Sequence, residues 1–231
     1  MMQSLTADDA LRDLRVFVDR GVAIKFPPQG PFSDRPVRRS AVLILFGALD
    51  RAPAELPASP RIAPELDVLL TRRASRMRHH AGQIAFPGGG IDPEDHDARA
   101  AALREAHEET GLDPAGVEIL GGLPEIPLPI SNNLVTPVLG WWHSPSEITA
   151  DHTESVDVFR APVAELLDPA ARGTSVLSRG PRSYRGAAFE LAPRLGGHTV
   201  WGFTGVLLSN LFDELGWASP WDTSHEIPVE P

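Results

Sequence analysis

The chain has 231 residues, of which 42% are hydrophobic and 23% are charged, and its formal net charge is -10 at pH 7. These values suit a globular protein with a full core, and the acidic charge argues against broad binding to nucleic acid or to an anionic membrane surface. Because cysteine is absent, disulfides, thiolate nucleophiles and sulfur-ligated zinc are excluded. The N-terminus does not resemble a signal peptide and no apolar run approaches about 20 residues, so we expect a cytoplasmic protein with neither a membrane nor a nucleic acid as its partner.

The N-terminal segment reads as a helix followed by an arm. Residues 6–19 have the apolar spacing of an amphipathic helix, for which Thr6 or Asp8 is the expected cap. Residues 26–35 contain three prolines and are expected to be extended. We therefore treat residues 1–35 as an appendage, which packs either on its own domain or on a second subunit.

Short apolar runs predict the strands of a sheet, at residues 41–46, 66–71, 117–120, 134–142 and 156–161. An Ala- and Pro-rich loop is expected at 50–64. A short helix, a hairpin and a last long helix are expected at 164–167, near 182–186 and at 200–215. Strands and helices alternate without a repeat, which predicts an α/β or α+β domain, over residues 36–216. Residues 217–231 are expected to form a tail that is loose or docked irregularly.

The most informative segment is 88–112, which reads GGGIDPEDHDARAAALREAHEETGL. It predicts a helix over 97–110, with Asp95 or Asp97 as its N-cap and Gly111 at its C-terminal end. The face expected to pack on the sheet consists of Ala100, Leu103 and Ala106.

The same helix carries three carboxylates on one face. Glu105, Glu108 and Glu109 are separated by three and four residues, which brings them together on a helix. An oxygen-only, highly charged site of this kind suits Mg²⁺ or Mn²⁺, and Arg104 is placed to brace one carboxylate by a bidentate contact. The glycine turn that precedes the helix admits a phosphate or a metal close to the backbone. Spacing alone leaves a solvated acidic face as an equal alternative.

The order of these residues resembles the Nudix box, R-E-x-x-E-E-x-G followed by an aliphatic residue, with Gly90 at the position of the family's first glycine. The resemblance implies a Nudix-type α/β/α sandwich with a mixed β-sheet, in which the box helix covers one face and the C-terminal helix the other. It also implies an Mg²⁺ or Mn²⁺ site. Its direct ligands would be Glu105 and Glu109, with the carbonyl of Gly89, and Glu108 would be a further ligand or would orient metal-bound water. Arg104 would join the three glutamates as a catalytic residue.

One position departs from the family pattern. The family usually has Glu eight residues before the box arginine, where this chain has His96, and the acidic residues Glu94 and Asp95 precede it. That glutamate is more structural than catalytic in the family, so the departure does not weaken the metal assignment much.

A second motif lies upstream of the box. Leu69-Leu70-Thr71 is followed by Arg72, Arg73, Arg78, Gly82 and Phe86-Pro87-Gly88-Gly89, which is similar to the motif of the coenzyme A diphosphatase branch. Members of that branch tend to lack the glutamate at the His96 position. Segments after the box also resemble the branch, and the resemblance runs from about residue 42 to 212.

The branch implies a metal-dependent hydrolase of phosphoric anhydrides that splits coenzyme A or a derivative into 3′,5′-ADP and (acyl-)4′-phosphopantetheine. The expected substrate-binding residues are Arg72, Arg73, Arg78, Gly88 and Gly89. The general base would come either from the box itself or from a later loop, where Glu154 and Asp157 are the candidates, and the sequence does not choose between them. Other hydrolases of the same type act on NADH, ADP-ribose or nucleoside triphosphates, and a non-catalytic Nudix-fold module that binds a ligand is the alternative of another class. A homodimer is compatible with the family.

Overall fold

The computed structural model describes residues 6–26, 30–48, 62–74, 82–179 and 182–229. Most of the predicted 50–64 loop lies outside these residues, as does Arg78. The described helices are Ala7–Arg20 (α1), Ala98–Thr110 (α2), Val163–Leu166 (α3) and Gly202–Glu214 (α4). None of these described helices has the length and apolar character needed to cross a membrane.

The strands fall into two sheets. The larger sheet contains Arg38–Ala48 (β1), Leu66–Arg73 (β2), Ile84–Ala85 (β3), Gly88–Gly90 (β4), Val117–Gly122 (β5), Ile126–Leu128 (β6), Asn133–Trp142 (β7) and Ser155–Pro162 (β8). The smaller sheet contains Arg172–Arg179 (β9), Arg182–Glu190 (β10), Thr199–Val200 (β11) and Glu226–Pro228 (β12). Every strand predicted from the sequence is present.

The larger sheet is mixed and is built around β1. Its order is β3-β2-β1-β7-β5, and β1 runs parallel to β7 but antiparallel to β2 and β4. The first half of β1 pairs with β4 and its last residues pair with β2, since Val42 faces Gly88 whereas Phe46 faces Val68. This change of partner holds the glycine turn against the middle of the sheet.

Helices cover both faces of this sheet. Leu43 and Leu45 of β1 pack in one apolar cluster with α2, whereas Ile44 and Phe46 pack in the other with α1 and α4, as expected for side chains that alternate along a strand. The predicted arrangement, with the box helix on one face and the C-terminal helix on the other, is confirmed.

The buried face of α2 differs from the prediction. The structure buries Ala101, Ala102 and Ala106, while Ala100 and Leu103 are only partly covered. The helix is rotated because Glu109, which shares a helical face with Ala102 and Ala106, is itself directed inward. The helix ends agree with the prediction, with Asp97 as the N-cap and Gly111 in the left-handed region at the C-cap.

The N-terminal helix is part of the core on the opposite face. Thr6 caps α1 in a capping box with Asp9, and the apolar stripe of Ala10, Leu14 and Phe17 is fully buried. The indole of Trp217 donates a hydrogen bond of 3.0 Å to Asp13. The helix therefore packs on its own chain.

The C-terminal part contains more regular structure than expected. Residues 182–186 belong to the second strand of the β9–β10 hairpin rather than to its turn, because Arg182 pairs with Arg179. The last helix begins at Gly202, not at position 200, because Val200 pairs with Phe189 in β11. The predicted irregular tail is wrong for Glu226–Pro228, since this segment forms β12 and runs parallel to β9. Strand pairing across more than 50 residues has no local signal.

Candidate active site

The glycine turn lies directly on β1. The amide of Leu43 donates a hydrogen bond of 2.9 Å to the carbonyl of Pro87. Gly88 has a φ of 155°, and a Cβ atom there would lie 2.3 Å from the carbonyl oxygen of Ala41. Any side chain at position 88 would therefore push the turn off the strand.

Glu109 is the most deeply buried acidic residue of α2. Its side chain faces the turn, where Oε2 accepts a hydrogen bond of 3.3 Å from the amide of Gly88, and the residue is 5% exposed. The pKa of Glu109 is raised to about 8, mainly by burial and also by the charges of Glu154 and Glu105, whereas the charge of Arg73 and the hydrogen bond from Gly88 lower it. A cation bound here would offset these charges.

Glu105 lies one helical turn before Glu109, and its carboxylate lies against Gly89. A Cβ atom at position 89 would lie 2.4 Å from its Oε2, so the carboxylate occupies space that only glycine leaves open. Burial raises the pKa of Glu105 despite a hydrogen bond from Arg104. The charges of Glu108 and Glu154 raise this pKa as well.

Glu108 is the exposed member of the three glutamates. Its side chain is 57% exposed and its Oε2 accepts a hydrogen bond of 3.2 Å from Arg104. In the part of the chain that the structure describes, no three His, Asp or Glu side chains form a group close enough to hold a metal ion. The fold brings Glu105 and Glu109 to the glycine turn, and the role predicted for Glu108, as a further ligand or as a residue that orients metal-bound water, stays a prediction.

Arg104 joins the box to the loop before it. Its Nε and Nη2 form a bidentate ion pair with Asp95, at 3.0 and 2.9 Å. Nη2 also donates to the carbonyl of Gly90 at 3.1 Å, and Nη1 donates to Glu105 at 3.0 Å and to Glu108 at 3.2 Å. The hydrogen bond from Arg104 lowers the pKa of Asp95, and the same bond raises the pKa of Arg104. The sequence does not predict Asp95 as a partner of Arg104. A usable signal was that Asp95 is acidic and adjoins His96, which stands where the family usually has glutamate.

The two described arginines of the upstream motif lie on opposite faces of the sheet. Along β2, Arg73 shares the face of Leu69, which packs with α2, whereas Arg72 shares the face of Leu70. Within the described residues the buried Nε atoms of both arginines have no hydrogen-bond partner. Since Arg73 acts electrostatically on Glu109, it is the arginine that the fold brings to the site.

Residues 149–155 connect the C-terminal end of α2 to the end of β2, the strand that carries Arg72 and Arg73. The amides of Thr149 and Asp151 donate to the carbonyls of Thr110 and Glu109, at 2.8 and 3.3 Å, and the carbonyl of Glu154 accepts a hydrogen bond of 2.7 Å from Ala74. The carboxylate of Asp151 accepts hydrogen bonds from the amides of Glu154 and Ser155. These hydrogen bonds hold the turn that carries Glu154, and no local sequence pattern indicates this arrangement.

The structure distinguishes the two candidate bases, Glu154 and Asp157. Glu154 acts on the pKa of both Glu105 and Glu109. Asp157 shares the strand face of Phe159, which packs on the side of the sheet opposite α2. The arrangement therefore favours Glu154.

The donor set fits a hard divalent cation. Glu105 and Glu109 offer carboxylate oxygens, the ligands that Mg²⁺ and Mn²⁺ prefer. Glu109 is buried and Glu105 is half-buried, the pKa values of both are raised, and Gly89 leaves the space beside Glu105 free of a side chain. These two glutamates would hold the ion.

Comparison with known proteins places this geometry in a family. The family model described as the NUDIX domain matches residues 60–174. A Citrobacter koseri protein named "Uncharacterized Nudix hydrolase NudL" is 38% identical over 164 residues, which cover 71% of this chain and 73% of that protein. The chain belongs to the Nudix hydrolase family. The predicted Nudix-type fold with a mixed sheet is thereby confirmed.

Other relatives align over less of their length. A protein of the same name from an Enterobacter species is 46% identical over 112 residues, which cover 48% of this chain and 57% of that protein. The chain thus spans little more than half of this relative. Among solved structures, a NUDIX hydrolase from Nitrosomonas europaea superposes with a TM-score of 0.46 at 14% identity, over 85% of this chain and 82% of that one.

Proposed function

We propose that this chain hydrolyses the diphosphate bond of a nucleoside diphosphate-linked substrate with the help of Mg²⁺ or Mn²⁺. One observation carries the proposal: the carboxylates of buried Glu109 and half-buried Glu105 both lie against the glycine turn, and the pKa values of both are raised. Removing carboxylates from water in this way costs stability, and carboxylates with perturbed pKa values are typical of functional sites.

The chemistry follows from the residues around this pair. A divalent cation, when bound, neutralises phosphate charge and makes water more acidic. Glu154 accepts the proton of the attacking water, the new P–O bond forms at one phosphorus, and the bond to the bridging oxygen breaks so that the second phosphate leaves with its electron pair. Arg73 binds phosphate oxygens and offsets their charge. Arg72, Arg78 and the backbone of the glycine turn enter this proposal through the resemblance.

We further propose that the substrate is coenzyme A or one of its derivatives, cleaved to 3′,5′-ADP and (acyl-)4′-phosphopantetheine. The support is the upstream motif, of which Arg73 lies at the site and Phe86 is buried beside the turn. A non-catalytic module is disfavoured because the metal-binding carboxylates are retained.

A substrate panel tests the proposal. The purified chain is incubated with Mg²⁺ or Mn²⁺ and with coenzyme A, NADH, ADP-ribose or a nucleoside triphosphate, and products are separated by chromatography. We expect 3′,5′-ADP from coenzyme A at a rate well above the turnover of the others. Preferential turnover of another compound would overturn the substrate and keep the reaction, and no turnover of any would overturn the reaction.

The assignment of the base has its own matched pair of variants. Glu154→Gln is expected to lower kcat by about 10²- to 10⁴-fold, the usual contribution of a general base. Asp157→Asn, which changes the same chemical group on the opposite face of the sheet, should leave kcat within about threefold. Steady-state rates at saturating substrate and metal measure both, and an effect of Asp157→Asn equal to that of Glu154→Gln would contradict the assignment.

A further inference from the structure

The loop before the box helix holds a carboxylate where the family pattern does not require one. Asp95 is six residues beyond Gly89 and one before His96, and its side chain is only 6% exposed. Two interactions hold its carboxylate in place: it accepts a hydrogen bond of 2.8 Å from the amide of Asp92, and it forms the bidentate pair with Arg104. His96 itself is exposed.

The bidentate pair determines which atoms of Arg104 are left for the glutamates. Nε and Nη2 are engaged by Asp95, and the remaining Nη1 donates to Oε1 of Glu105 and to Oε2 of Glu108. Both oxygens of Glu105 border the space above Gly89, since a Cβ atom there would lie 2.4 Å from Oε2 and 2.6 Å from Oε1. Arg104 therefore donates a hydrogen bond to only one oxygen of Glu105, and Oε2 beside Gly89 accepts none from this guanidinium.

We infer that Asp95 is a positioning residue of this site, which occupies the bidentate edge of Arg104 and so prevents the guanidinium from competing with a cation for Glu105. Without Asp95, the same edge is free to form a bidentate pair with Glu105, because a guanidinium matches any carboxylate geometry of this kind. The glutamate that the family usually has would stand at the position of His96, and in this chain Asp95 thus takes the place of that glutamate. The inference rests on the proposed metal-dependent function.

The test measures metal binding directly, without a substrate. The affinity for Mn²⁺ is determined by electron paramagnetic resonance of the free ion for the wild type, Asp95→Ala, Asp95→Asn and Asp95→Ala combined with His96→Glu. Asp92→Ala is the matched control, since Asp92 lies 3.5 Å from the same Nη2 but its side chain is 60% exposed. Glu105→Gln identifies the ion that is bound at this site, and thermal unfolding shows that each variant is folded.

We expect Asp95→Ala to weaken Mn²⁺ binding by about 10- to 100-fold, the usual effect of losing a partner that orients a ligand. Asp92→Ala should change it by less than about twofold, and the added His96→Glu should restore most of the loss. A purely structural role predicts a lower melting temperature with an unchanged affinity. Asp95→Asn keeps the size of the side chain and decides the question if Asp95→Ala fails to fold.

The inference is overturned if a folded Asp95 variant binds Mn²⁺ like the wild type, or if the wild type shows no Mn²⁺ site that depends on Glu105. It is also overturned if His96→Glu does not rescue a folded Asp95→Ala. Failure of the proposed hydrolysis is distinguishable, because it would appear as a wild type that binds Mn²⁺ normally but turns over none of the diphosphate substrates.

Discussion

The helices α1 and α2 lie on opposite faces of the same sheet and treat their acidic residues in opposite ways. In α1, Asp9 is at the surface, where hydrogen bonds from the backbone and side chain of Thr6 and from Arg12 lower its pKa to about 2. In α2, Glu109 is buried and its pKa is raised to about 8. The first helix places charge where it supports the helix end, and the second places it where it costs stability. This contrast separates a helix that holds the fold together from one that supplies a site.

The sharpest way to break this contrast is Glu109→Gln. In the proposed mechanism Glu109 holds the metal, and losing such a carboxylate removes several kcal/mol of transition-state stabilisation. We therefore expect kcat/KM to fall by about 10³-fold, equivalent to about 4 kcal/mol. In EDTA at pH 8 the melting temperature should be equal to or above that of the wild type, because a buried charge is replaced by a neutral group of the same shape.

Glu118→Gln is the control for that variant, since Glu118 lies on β5 and pairs with Arg15 of α1 at the surface. We expect it to change neither kcat/KM nor the melting temperature appreciably. The assignment of Glu109 is wrong if Glu109→Gln keeps a tenth or more of the wild-type rate.

The converse change is made in α1. Phe17→Ala removes a ring that is 1% exposed, and we expect the free energy of unfolding to fall by about 3–5 kcal/mol. Because α1 lies across the sheet from the site, kcat should be unchanged at a temperature where the variant is folded. Denaturant unfolding and steady-state rates measure the two effects, with Val16→Ala, an exposed position on the same helix, as the control expected to cost less than about 0.5 kcal/mol. A large drop in kcat for folded Phe17→Ala would show that the faces are coupled.

Gly89 and Gly90 of β4 allow a more precise test of the position of Glu105. Gly89→Ala places a Cβ 2.4 Å from Oε2 of Glu105, whereas the same atom at position 90 meets nothing within 4 Å. The Glu105 side chain can move aside, so the fold should survive. Its displacement by about 1 Å is expected to lower kcat/KM by about 10²-fold, equivalent to about 2.7 kcal/mol. Gly90→Ala should keep near wild-type rates, and equal losses at both positions would point to the backbone of β4 rather than to Glu105.

Local patterns are enough to predict the box helix, its caps and the strands, because each depends on neighbours within one or two turns of the chain. The rotation of α2 is not predictable in this way. It is set by the glycine turn that Glu109 meets, and a period of 3.6 residues does not distinguish Ala100 from Ala102 as the buried position on a helix rich in small residues.

The site is predictable as a set of residues but not as an arrangement. The box pattern identifies Glu105 and Glu109 together with Glu108, and only the fold shows that the third is directed outward. The partner of Arg104 lies nine residues away across a loop, and the face on which Asp157 lies is set by pairing with a strand more than 80 residues earlier. Contacts of this length are decided by tertiary structure.

The smallest expected effect concerns the N-caps of the two helices. Thr6 accepts a hydrogen bond from the amide of Asp9, and Asp97 accepts hydrogen bonds from the amides of Arg99 and Ala100. Replacing either cap by Ala should lower the free energy of unfolding by about 1 kcal/mol. The functional consequence should differ, because fraying of α2 loosens the helix that carries the box, whereas fraying of α1 disturbs only the opposite face. We therefore expect a lower kcat/KM for Asp97→Ala, by less than for Gly89→Ala, and an unchanged kcat/KM for Thr6→Ala. Parallel unfolding and rate measurements test this, and equal rates for the two variants would mean that the end of α2 can loosen without moving Glu105.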